Sequence, residues 1–209
     1  MADVSGAARS SRRPVWIALG WAAACLGLVA ALFVVRGLDE GAGPGDTGPR
    51  RTLTLPVGAA GYTLLTSAPA ERFARTARRS LEAQAPGGDV VVGTFTRADE
   101  QVVLVGFAFS ADSDQGEALA ASPKGALEDY FESAGVVDLE TFDAGPLGGV
   151  LLCGTQADGP TQVTCGWGDD GTLGTLRFAT GALADGPAAD AATVTVDFRE
   201  AAEPVDDTP

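Results

Sequence analysis

Cys153 and Cys165, with eleven residues between them, are the two cysteines that lie outside an apolar N-terminal run, and the chain contains no histidine. Zinc would need four ligands drawn mainly from Cys and His, which this chain cannot supply. A redox pair is typically spaced C-x-x-C, far closer than these two. A structural disulfide is the remaining chemistry, and no metal or cofactor is expected. The missing histidine also removes the usual general base, so Ser or Cys catalysis of the His-assisted kind is excluded and no catalytic residue is assigned.

Three other stretches carry reactive or charged groups. "DSDQGE" (112–117) has the look of a calcium loop, but the acid of position five is missing and Glu117 stands where glycine is required. A solvated acidic loop is the expectation. "EDYFE" (128–132) offers carboxylates four apart, which a polar helix surface explains. "RFARTARR" (72–79) is the one basic cluster of an acidic region, and Arg72, Arg75 and Arg79 share a helical face. That face is the candidate contact surface, suited to an acidic partner, an anionic head group or the domain's own acidic half. No glycine loop follows a strand and opens a helix, so nucleotide binding has no support.

The elements that hold these groups can be read from periodicity. Ser67, Pro69 and Glu71 start a helix that runs to about Gln84, with Phe73, Ala77 and Leu81 on its apolar face. "DVVVGTF" and "QVVLVGFAF" form a hairpin, and the second strand is apolar on both faces, which places it centrally in a sheet. Ser122-Pro123 opens another helix that ends at Gly135. "VVDLETF", "GGVLLCG", "TQVTCGW" and "TLGTLRF" read as four successive strands, and a terminal helix is expected over the closing "AADAATVTVDFREAAE".

Register follows from the turns. Asp170-Gly171 signals a type I′ hairpin, with positive φ at both residues. Cys165 then faces Leu176 and Trp167 faces Gly174, with Val163 and Phe178 on the same face. The other face carries Thr164, Gly166, Thr175 and Arg177. In the preceding hairpin, Cys153 and Cys165 are symmetric about Gly159, so they oppose each other at a separation a disulfide accepts.

The N-terminus sets the compartment. Residues 14–35 are 22 residues without a charge, enough for a helix of about 33 Å across a hydrocarbon core of about 30 Å. Arg9, Arg12 and Arg13 precede it, so the positive-inside rule puts 1–13 in the cytoplasm and the rest outside, where disulfides persist. The run continues past Cys25, too long for the short apolar region of a cleaved signal, and reads as a signal anchor, with export processing or lipidation at Cys25 as the alternative that "SRR" (11–13) and "AAAC" (22–25) leave open. Residues 36–51, rich in Gly and Pro, form a flexible linker. One α+β domain follows over 52–202, an antiparallel sheet with two to three helices, and 203–209 is a frayed acidic tail. The net charge is −14, and residues 110–209 hold 19 acidic residues against Lys124, Arg177 and Arg199. Nucleic acid is thereby disfavoured as a partner.

The segment "GPLGGVLLCGTQADGPTQVTCGWGDDGTLGTL" resembles the paired-cysteine segment of single-pass membrane proteins of unknown function from high-GC actinobacteria. The use of 13 Arg against one Lys suits that origin. The resemblance implies the topology and no activity. The expected function is a membrane-anchored interaction or regulatory domain at the cell envelope, its partner an envelope protein. The alternatives are a histidine-independent hydrolase or transferase, or an accessory subunit of a transport or secretion complex.

Overall fold

In the computed structural model, which describes residues 52–204, the two-sided apolar strand lies where its pattern requires. β3 (Gly88–Arg97) and β4 (Glu100–Phe109) pair along their whole length, and β4 is flanked on its other side by β8 (Thr172–Thr180). Its Val102 and Leu104 enter one core, while Phe107 enters a second on the opposite face. The sheet is completed by β1 (Gly58–Ala59), β2 (Tyr62–Leu64), β5 (Val136–Phe142), β6 (Val150–Gln156) and β7 (Val163–Gly168). All neighbours are antiparallel, in the order β1-β2-β3-β4-β8-β7-β6-β5.

Each face has its own helices. α1 (Ala68–Glu82), α2 (Asp114–Ala121) and α3 (Pro123–Ser133) bury Ala77, Leu81, Leu119, Leu127 and Phe131 on one side. α4 (Ala188–Ala202) covers the other with Ala191, Ala192, Phe198 and Ala202. The fold class is α+β as expected, but the described residues hold four helices, not two to three. The unforeseen one is α2, where the sequence suggested a solvated loop. Ser113 caps it by accepting from the Gly116 amide at 3.0 Å, and Asp114 and Glu117 sit in its first turn. There their charge complements the exposed amides of a helix start.

The registers of the cysteine segment hold. Cys153 opposes Cys165, Cys165 opposes Leu176, and Trp167 opposes Gly174. The cysteines are joined, with Cα atoms 4.0 Å apart and both side chains sealed from solvent. The turn chemistry differs from expectation. Neither Asp170 nor Gly171 has positive φ, so the β7–β8 turn is not type I′. Instead the Asp169 carboxylate accepts from the amides of Gly171 (2.9 Å) and Thr172 (2.7 Å), holding the turn from the side. The primed geometry occurs between β1 and β2, where Ala60 and Gly61 have φ of 52° and 78°.

The face carrying Thr164, Gly166 and Thr175 is buried under α3. A Cβ on Gly166 would come within 3.0 Å of Leu127 and Phe131, so the small residues let the helix approach. Leu53 and Leu55 fill the gaps left by Gly106 and Gly93, and Thr54 donates to the Ala202 carbonyl at 2.8 Å. The two ends of the domain are thus tied together. Among the described residues no helix is long and apolar enough to cross a membrane, and segments 1–13, 14–35 and 36–51 lie outside those residues. Glu203, expected to open a frayed tail, is 1% exposed and belongs to the fold.

Candidate functional site

The largest convergence of polar groups lies inside the molecule. On α4 the buried positions include Ala191, Ala192, Thr195, Phe198, Arg199 and Ala202, so helical spacing carries one guanidinium into the core. Arg199 donates to Asp169 at 2.7 Å, to Glu203 at 3.3 Å and to the carbonyls of Ala144 and Gly148. Glu203 also accepts from the Trp167 indole (2.5 Å) and the Thr172 hydroxyl (2.6 Å). Two carboxylates thus share one guanidinium, and both also accept hydrogen bonds from neutral donors. The cluster joins the end of α4, the β7–β8 turn and the β5–β6 connection. Arg199 and Glu203 are each 1% exposed, so the charged groups of the cluster are sealed from solvent. Sequence reasoning missed the cluster, although Arg199 on the apolar stripe of an amphipathic helix was the available signal.

A second knot closes the far end of the sheet. Tyr62 donates to Glu100 at 2.8 Å, Arg97 donates to the same oxygen at 2.8 Å, and the Arg97 guanidinium lies 4.3 Å from the Tyr62 ring centroid. Burial and the hydrogen bond to Glu100 push the Tyr62 hydroxyl up to about 12. The Tyr62 hydrogen bond, aided by Arg97, holds the Glu100 carboxyl below its ordinary value. These groups brace one another.

The surface offers two features of contrasting charge. Arg72, Arg75 and Arg79 are exposed on α1, as the spacing requires. Arg75 approaches Glu71 at 3.5 Å and Arg78 pairs with Glu82 at 2.7 Å, whereas Arg72 and Arg79 form no ion pair among the described residues. The face is therefore cationic. Between α3 and β5 lies a cleft of about 420 Å³, lined by Glu128, Asp129 and Glu132 from the helix and Val136, Val137 and Leu139 from the strand. Glu128 is paired with Lys124 one turn away. Of these lining residues only Val136 is buried, so the cleft is a surface groove.

The sequence anticipated the arginine face and the cysteine pair; it assigned no role to the β5 edge. The structure does not bring the two together. The cysteines lie in the core shared with α4, and the arginines lie on the helix across the sheet. Among the described residues no group of three or more His, Cys, Asp or Glu is arranged to hold a metal. A scan against protein-family models, a search of curated proteins and a search of solved structures each found no match.

Proposed function

We propose that the chain is a membrane-anchored interaction or regulatory module, with 14–35 spanning the membrane, 36–51 as its tether and the α+β domain on the outer side. The observation that carries this reading is the division of polar groups between interior and surface. Those that converge are sealed and mutually satisfied, as Arg199, Asp169 and Glu203 are. Those that face solvent form charged surfaces, cationic on α1 and acidic beside β5. Glu128, Asp129 and Glu132 line an open groove on the surface.

The α1 face is the first contact surface to test. Replacing Arg72, Arg75 and Arg79 together by alanine in the full chain should lower the yield of co-purified envelope protein at least tenfold and leave Tm within a degree or two. Undiminished co-purification would return the helix to ordinary surface.

A further inference from the structure

We propose that the open edge of β5 takes an extended, basic segment of a partner protein, which adds to the sheet as a further strand. This rests on the interaction-module reading and assigns it a second surface. β5 ends the strand order, so one side of its backbone pairs with β6 and the other has no strand beside it among the described residues. Such an edge presents amide and carbonyl groups to a peptide, and neighbouring side chains then set specificity. The opposite edge is only two residues long, at Gly58–Ala59.

The side chains around β5 choose the occupant. Val137 and Leu139 are 42% and 36% exposed, an apolar pair left beside the groove. Asp138 and Glu140 are exposed on the same strand, and Asp129 and Glu132 are exposed on the α3 wall. No Lys or Arg lies on β5 or lines the groove. A second copy of the chain is a poor fit, because β5 against β5 would bring acidic strands and acidic walls together. A segment alternating apolar residues with Lys or Arg meets the opposite conditions. Its apolar side chains cover Val137 and Leu139, its bases face the carboxylates, and its backbone satisfies the edge. With seven residues in β5, about five to seven residues of partner suffice.

The test uses the full chain and a fluorescent Val-Lys-Val-Lys-Val-Lys-Val peptide, read by anisotropy. Binding should be at least tenfold tighter than for the Val-Glu counterpart, and N-methylation of alternate amides should weaken it at least tenfold. Glu132→Lys with Glu140→Lys should also weaken it at least tenfold, whereas the Arg72, Arg75 and Arg79 alanine variant should bind as the parent does. Amides of 136–142 should gain protection from hydrogen exchange when the peptide is bound. Equal binding of the N-methylated peptide would reduce the effect to attraction between a basic peptide and an acidic protein, and would overturn the proposal. Self-association abolished by Glu140→Lys would overturn it in favour of a second copy. If no peptide binds while co-purification still depends on the arginines of α1, the edge proposal fails and the module reading stands. Loss of both results would remove the module reading as well.

Discussion

Arg199 is the residue on which one end of the domain depends. Its guanidinium donates to both Asp169 and Glu203, and all three are buried. Arg199→Met should cost about 3–5 kcal/mol, because it takes a buried guanidinium away from two buried carboxylates. For a domain of this size, that is a fall of roughly 6–20 °C in Tm by calorimetry. Adding Asp169→Asn and Glu203→Gln to the same chain should recover part of the loss, since both buried negative charges are then removed. The sequence could not reveal this partnership. Arg199 and Asp169 are 30 residues apart, and only the docking of α4 across the sheet unites them. The tyrosines give a second test at this scale. Tyr62 is shifted to about 12, and burial raises Tyr130 as well, so neither of the chain's two tyrosines should ionise at its ordinary value of 10.0. Absorbance at 295 nm should show no tyrosinate step near pH 10 while the fold persists. The linkage has a definite sign. Tyr62 contributes stability that is complete below pH 10 and lost as pH rises through about 12. Glu100, held below its ordinary 4.5, contributes stability present above that value and lost as pH falls. Unfolding by urea should therefore be hardest between those limits.

The β6–β7–β8 meander is the element that the sequence specifies most fully, and the reason is redundancy. Cysteine symmetry, a two-residue turn and a Trp opposite a Gly all demand one register, and a slip by one residue would turn every side chain to the wrong face. Gly174→Ala tests the last of these. Its Cβ would lie 2.1 Å from the Trp167 ring, which is itself bonded to Glu203, so the ring cannot move aside freely. A loss of about 1–3 kcal/mol is expected in urea unfolding. Reduction of Cys153–Cys165 should cost about 3 kcal/mol. Because both sulfurs are buried, the bond should resist reductant in the native state and yield only when the domain opens, as thiol alkylation and mass analysis would show. Other elements were less legible. β1 and β2 are two and three residues long, too short to leave a period. α2 was hidden because Ser113, Asp114 and Glu117 have the composition of a loop and the placement of a helix start. The β7–β8 turn departs from the type that Asp170-Gly171 suggests because Asp169 answers to Arg199 as well as to the turn.

Across the whole molecule, one eight-stranded sheet separates two cores, with α4 and the 52–57 strap on one face and α1 to α3 on the other. The strap packs on the α4 face, so α1 and α3 lie across the sheet from it. The antiparallel sheet and the placement of β4 were readable from alternation; which edge stays open was not, because strand order is decided by long-range pairing. We propose that the α1 and β5 surfaces are displayed outside the cell. Lys124 is the chain's only lysine, and it is exposed on α3. A membrane-impermeant amine reagent added to intact cells should modify Lys124, as peptide mass analysis would show. Labelling of Lys124 only after the cells are lysed would contradict the account.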